Sequence, residues 1–461
     1  MEEILSEEKN EVKEVFSRIR KRDFSGNAGQ AIKNSTYQLA QNIFMKVGSL
    51  VFTIIIARLL MPQLFGLYSL ALSTIVLFGA FTDMGIGSAV ITFISKNLGK
   101  KKQDKAKGYV KKLLKWQNYL LVLVSLVLVM VSYFIARDYY NKPIFYALLV
   151  GAIYLPLNAY LAFFENIMKA ANDFKVPAVE KMILQVMRLI IVPIAILLFI
   201  SSSSSLSFGA FVVVAAVTVS YLPGLIYVVI KLRKGAHFLE AKISALTPKE
   251  TKDLKKFILP LTATSLSGIF FGYIDTIMLG HYVASEFISY YSAAFNLVAG
   301  ASGIIGFAGL ALFPIFSRIS GARLERIFRK ARNFTLLISL FTGIVALIFS
   351  GIIVKIVYGG AYLTSIPILE FFSILIVILP LLTLYNNYLI SRKKTAIIAK
   401  LLVASTALNI ILNFVFITYG LQFSPLYAVL GACFATIISR MSYFMGLFIA
   451  RRIEWRRGER K

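Results

Sequence analysis

Cysteine occurs once in this chain, at Cys433, and histidine twice, at His237 and His281. That scarcity excludes a disulfide framework and leaves too few ligands for a zinc-type centre, so no metal or cofactor is expected. Charge is also scarce, at 16% of residues, and acids are the scarcer sign, 22 against 50 Lys plus Arg. The common enzyme motifs are missing: there is no GxxxxGK[ST], no HExxH, no GxSxG and no DxD pair. These absences argue against a nucleotide-hydrolysing motor, a zincin or a serine hydrolase. The chain reads as a non-enzyme, with turnover driven by binding, movement or an ion gradient.

What the chain has is apolar length. Of its 461 residues 58% are hydrophobic, with 37 Phe and 23 Tyr. Apolar runs of about 20 residues recur throughout, and each can cross a hydrocarbon core of about 30 Å as a helix. The alternating ~10-residue strands of a membrane barrel are absent from the pattern. The fold class expected is an all-α polytopic membrane protein. Twelve spans are predicted, near 34–60, 65–95, 113–136, 143–168, 180–200, 207–231, 257–281, 287–316, 334–357, 364–390, 396–419 and 426–450.

The net charge of +28 is placed unevenly. Nine Lys fall in Lys96–Lys115, eight basic residues in Lys231–Lys256, six in Arg318–Arg332 and six in Arg451–Lys461, whereas Ser201–Ser205, His281–Glu286 and Tyr358–Tyr362 hold no Lys or Arg. Such alternation is the positive-inside rule rather than a nucleic-acid footprint, with both termini cytoplasmic in a plasma (inner) membrane protein. The basic segments are expected to meet anionic lipid headgroups. Residues 1–33 are too charged for a signal peptide and are expected to form a cytoplasmic segment, either an amphipathic helix with Ile4, Val12, Val15, Phe16 and Ile19 on one face against the inner leaflet or a disordered tail.

An internal repeat divides the rest. Phe65–Ala71 is echoed by Ile288–Ala294, Thr92–Lys96 by Pro314–Arg318, Leu155-Pro156-Leu157 by Leu379-Pro380-Leu381, Gly209-Ala210 by Gly431-Ala432, and Arg58 falls opposite His281, all at shifts of 222–224. The expected organisation is an N-terminal six-helix lobe at 34–231, a cytoplasmic basic linker at 232–256, a C-terminal six-helix lobe at 257–450 and a basic tail at 451–461. With six spans each, the halves enter from the same side and are related by a pseudo-two-fold axis along the membrane normal, as in alternating-access transporters. Pro156, Pro193, Pro260 and Pro380 interrupt helices and predict bends.

Ionisable residues inside spans cost about 2.5–3.5 kcal/mol each on insertion scales unless paired or hydrated. Lys46 lies mid-span, and Asp83 in the second span is its candidate ion-pair partner; the alternative places Lys46 in a cavity between lobes. Arg188 and Arg440 also lie in apolar zones, facing a cavity or snorkelling toward its edge. Arg58, at the outer end of the first span, is an interface anchor or a substrate contact. Asp275 and Glu370 are candidates for ion coupling or internal pairing, with Lys355 as neutraliser, and Glu165 is expected to be solvated at the cytoplasmic end. Asn409 and Asn413 are expected to hydrogen-bond between helices. Lys46 has no counterpart in the second half, since position 269 is Ile.

Arg58-Leu-Leu-x-Pro62-x-x-Phe65-Gly66-x-Tyr68, Asp83-x-Gly85-x-Gly87-Ser88, Asp275-Thr276-x-x-Leu279-Gly280, Leu408-Asn409-x-x-x-Asn413 and Gly431-Ala432-x-x-Ala435-Thr436 together resemble the Wzx-like polysaccharide flippase family of the multidrug/oligosaccharidyl-lipid/polysaccharide exporter superfamily. The resemblance implies a V-shaped, two-lobed fold with a cationic cavity. It also implies transport of a polyprenyl-phosphate- or pyrophosphate-linked oligosaccharide to the outer leaflet, working with glycosyltransferases or a polymerase, as a monomer. Lys46, Arg58, Arg188 and Arg440 are the substrate-binding candidates. A cation-coupled small-molecule exporter of the same fold is the alternative, although Lys46 stands in the span where sodium-coupled relatives carry an acid.

Overall fold

The computed structural model describes residues 26–312, 316, 319 and 321–459. The amphipathic segment expected at Ile4–Ile19, and all but Phe316 of the repeat match at Pro314–Arg318, lie outside the described residues. Among the described residues there are helices and turns and no strands.

The first helical run, Gly26–Asp83, is broken at Met61 (φ 58°, ψ 168°) into α1 (26–60) and α2 (62–83). The break falls there because Pro62 has no N–H to continue the helix and disfavours helical geometry at the residue before it. The turn is therefore tighter than the sequence pattern suggested, with α2 starting at 62 rather than near 65. A second break follows at Met84 and Gly85, with φ of 44° and 89°. Only glycine takes the latter region without steric cost, and α3 (Ile86–Gly99) carries the second span onward.

The remaining helices are α4 (Gln103–Phe134), closed by a π-helical turn Ile135–Tyr139, α5 (Phe145–Ala170), α6 (Lys175–Phe199), α7 (Leu206–Val219) and α8 (Leu222–Gly235). Then come α9 (Pro248–Tyr282), α10 (Ser285–Ala311), α11 (Gly321–Ile348), α12 (Ser350–Tyr358), α13 (Ser365–Ser391), α14 (Thr395–Leu421) and α15 (Pro425–Glu459). Among the described residues eleven stretches are long and apolar enough to cross a membrane, and Lys33–Gly99 contains two crossings joined at Met61, making twelve spans. Helix α9 begins at Pro248 rather than near 257. Thr247 and Glu250 form a reciprocal capping box, with Thr247 N donating to Glu250 Oε2 at 2.7 Å and Glu250 N to Thr247 Oγ1 at 3.2 Å. Those bonds satisfy two otherwise orphaned donors and let a polar stub precede the apolar span.

Helices α1–α8 pack on one another, as do α9–α15, and the seam between the two lobes runs where α1 and α2 meet α10 and where α2 and α3 meet α9. Large apolar side chains such as Met130, Leu197, Leu198 and Phe341 are left exposed on the outside. A surface of that kind is at rest in hydrocarbon, not in water. The chain is a multi-pass integral membrane protein.

Candidate functional site

Two cations stand at the seam, both on the first lobe. Helix α1 presents Lys46, Ser49 and Phe52 at steps of three residues, so they share one face. Lys46 is exposed, and its stem lies against α10, where a Cβ on Gly303 would be 3.2 Å from Lys46 Cδ. Arg188 reaches the same face from α6. Its Nη2 is 3.5 Å from Ser49 Oγ, and its guanidinium carbon sits 4.1 Å from the centre of the Phe52 ring. Tyr154 shares a 2.9 Å hydrogen bond with Tyr221. Since Lys46 and Ser49 are only about 5 Å apart along the helix axis, the two cations occupy one stretch of seam. Arg188 Nε is buried without a hydrogen-bond partner. A planar fork stacked on an aromatic face with a donor still open is well suited to a phosphate.

Lys46 and Asp83 form no ion pair among the described residues. Instead Asp83 accepts from the backbone N–H groups of Gly87 at 2.8 Å and Gly85 at 3.1 Å. The break at Met84–Gly85 exposes the first N–H groups of α3, and a carboxylate there is stabilised by both hydrogen bonds and the helix dipole. Asp83 thus shapes the elbow, while the carbonyl of Met84 accepts from Thr262 Oγ1 of the second lobe at 2.8 Å.

Three other charged residues have neighbours of their own. Arg58 spans the seam: its Nε donates to the carbonyl of Val357 at 2.7 Å and its Nη2 to that of Ile356, the last turn of α12. Arg440 is buried inside the second lobe, 4.7 Å from the Phe271 ring and 5.6 Å from the Phe295 ring, with Nη2 donating to the Phe271 carbonyl at 3.3 Å. Apolar packing and cation–π contacts hold it there, so it does not snorkel. Glu165 is only 3% exposed rather than solvated. It pairs with Lys181, and with Lys169 at 3.2 Å, while Lys181 is also 3.4 Å from the fully buried Glu180. Sequence reasoning missed this network. Its signal was the acid–lysine pair at 180–181, placed too near the start of the fifth span to stand out.

The second lobe encloses a different kind of site. Asp275 of α9 is 4% exposed. Its Oδ1 accepts from Asn413 Nδ2 at 2.6 Å, and its Oδ2 from Thr436 Oγ1 at 2.7 Å and Tyr291 Oη at 2.8 Å. Asn409 Nδ2 donates to Ser439 Oγ at 3.1 Å, so both asparagines bridge helices. The side-chain oxygens of Asn409 and Asn413 are buried without a partner. Tyr291 and Thr436 were not singled out as site residues, although each sits within a motif noted for other reasons. Glu370 accepts from Ser350 Oγ at 2.9 Å. Lys355 pairs with neither acid among the described residues, nor does any group of three or more His, Cys, Asp or Glu converge there as metal ligands would.

The sequence profile of the polysaccharide biosynthesis protein family matches residues 31–320. The uncharacterized membrane protein MJ1375 of Methanocaldococcus jannaschii is 25% identical over 451 residues, covering 92% of this chain and 98% of that protein. The fold is similar to that of the lipid II flippase MurJ in an inward closed conformation (TM-score 0.66, 17% identity, 89% of this chain and 87% of that one). It is also similar to a multidrug resistance MATE family transporter of the MOP superfamily in its inward-facing conformation (TM-score 0.65, 14% identity, 90% and 94%). An outward-facing MATE family transporter matches with a TM-score of 0.56 at 12% identity, covering 92% and 95%.

Proposed function

The chain belongs to the polysaccharide biosynthesis protein family, and from there we propose that it flips a polyprenyl-phosphate- or pyrophosphate-linked oligosaccharide from the cytoplasmic to the outer leaflet. The likeness of its fold to a lipid II flippase and to a MATE family transporter of the MOP superfamily supports a flippase-type transporter. The observation that carries the inference is the pair Lys46 and Arg188, two cations on one stretch of the lobe seam, Lys46 exposed and Arg188 with a guanidinium donor still open among the described residues. Cations at that depth are costly unless water or an anion meets them. A phosphate linking lipid to glycan supplies the anion, the lipid remains beside the bundle, and the glycan takes the hydrated space between lobes.

With the basic loops cytoplasmic, the contacts between lobes run from the outer end, where Gly66 meets Ser285, to the inner end, where Phe93 packs on Phe257 with ring centroids 5.3 Å apart, and loading from the cytoplasmic leaflet requires the inner contacts to part. The sealed Asp275 site supports a coupling ion. A carboxylate ringed by hydroxyl and amide groups, with two amide oxygens unpartnered, offers the all-oxygen surroundings of a hard monovalent cation or a proton. A direct test reconstitutes the purified protein with a fluorescent polyprenyl-pyrophosphate glycan. Protein-dependent transfer between leaflets, reduced at least about tenfold in both Lys46→Ala and Arg188→Ala, is the expected result; full transfer in both variants sinks the phosphate role.

A second reading, a cation-coupled exporter of small molecules, is favoured by the Asp275 site alone. It predicts gradient-driven efflux of amphipathic compounds from energised vesicles and no transfer of the glycolipid.

A further inference from the structure

Each half ends its first span on a residue that reaches across to the other lobe, and the two residues are repeat mates. Arg58 closes α1 and grips the Val357 and Ile356 carbonyls, in the last turn of α12 where no further turn supplies N–H donors to them. His281, 223 positions later, lies in the last turn of α9, with Nδ1 2.6 Å from the carbonyl oxygen of Tyr139 at the end of the π-helical turn. Its ring stacks on that of Tyr139 with centroids 4.6 Å apart. The residues just before them are mates as well, and each offers its carbonyl to the opposite lobe. Ala57 O accepts from Tyr362 Oη at 2.8 Å, and Gly280 O accepts from Lys142 Nζ at 2.6 Å. Tyr362 is itself 223 positions after Tyr139.

The contacts thus run in both directions, as a self-complementary interface about a two-fold axis requires. Between them the backbones nearly touch: a Cβ on Gly66 would overlap the carbonyl of Ser285. None of these bonds lies within a lobe, so none contributes to a lobe's own fold, and all are lost together when the lobes part. Arg58 and His281 are exposed, which means water can solvate them once released and the separation leaves no buried charge behind.

We propose that these reciprocal contacts are a latch: Arg58 with Tyr362 in one direction and His281 with Lys142 in the other hold the ends remote from the basic loops shut, and both must release before those ends open. The proposal rests on the transporter reading only in that the two lobes move, and it needs no particular substrate.

The test measures distance rather than transport. Cys433 is buried, so spin labels can be added at Ser203→Cys and Gln422→Cys, exposed loop positions at the same end of the two lobes. The parent protein should give one short distance. The double variant Arg58→Ala/His281→Ala should add a longer population, enriched about tenfold or more over the parent, as loss of the two charge-assisted bonds of Arg58 and of the His281 contact predicts. Gly66→Ala pushes the Ser285 carbonyl away without touching any donor and should produce the same longer distance. Thermal melting identifies the variants that are folded. Parental distances in both folded variants overturn the latch; if the double variant does not fold, Gly66→Ala and the milder Arg58→Lys decide the matter. A distance shift accompanied by no glycolipid transfer in any variant leaves the latch standing and counts against the flippase reading alone.

Discussion

Asn413 directs its side-chain nitrogen both to Asp275 Oδ1, at 2.6 Å, and to the carbonyl of Asn409 one turn back, at 2.9 Å. The two N–H groups of that nitrogen each make one bond and fix the amide, whose oxygen is buried with no donor of its own among the described residues. Asp275 is therefore held by three neutral donors, while the cation of its lobe, Arg440, lies over Phe271 and Phe295.

If that arrangement couples an ion, Asp275→Asn should separate folding from energetics. Three retained neighbours limit the loss of stability to about 1–3 kcal/mol. Transport driven by an imposed sodium or proton gradient should fall at least about tenfold, while passive exchange between leaflets persists. Unchanged gradient-driven transport in proteoliposomes assigns Asp275 a structural role.

Arg188 offers a test of geometry against charge. Arg188→Lys keeps the cation but loses both the fork and the stacking on Phe52, and the two side chains are not equivalent at such a site. Glycolipid transfer should fall severalfold in the lysine variant and further in Arg188→Ala. Equal rates for arginine and lysine would point to a point charge with no role for the planar group.

The Glu165–Lys181–Glu180 network should be among the most sensitive structural positions of the first lobe. Lys181→Met leaves two buried carboxyl groups without their shared cation, and breaking a buried pair by removing one partner costs about 3–5 kcal/mol. A second change, Glu180→Gln, should recover part of that loss. Thermal or denaturant unfolding of the single and double variants checks both statements; additive effects would mean that the groups are not coupled.

Asp83 makes a contrasting prediction. As the cap of α3 its removal in Asp83→Ala should cost about 1 kcal/mol, and Asp83→Asn should restore most of it, because an amide oxygen also accepts from a backbone N–H. The dependence of transport on the ion gradient should be unaltered in Asp83→Asn. A loss of that dependence would move ion coupling into the first lobe.

The sequence was most legible where physics is one-dimensional. Span lengths follow from hydrophobic thickness, and the constant offset between repeats made the two-fold relation of the halves visible along the chain. Side-chain pairing was less legible, because it depends on which helices become neighbours. Lys46 and Asp83 are the odd charges of adjacent spans, yet Asp83 found nearer donors in the backbone at Gly85 and Gly87. Arg58 and His281 were aligned by the repeat, but nothing along the chain revealed that each would end at the opposite lobe. The network around Glu165 stayed hidden because acids near a span end read as solvated until neighbouring helices cover them.

The contact of Gly66 with Ser285 bears on how the molecule moves in time. Surfaces separated by no more than bare van der Waals contact have no partly engaged form: withdrawn by the width of a methyl group, the surrounding hydrogen bonds are already too long to count. Closure at that end is therefore bistable, and intermediate separations should be almost unpopulated. A single molecule followed by fluorescence would step between two levels with abrupt jumps, and mutations at the seam would alter the dwell times while leaving the levels in place.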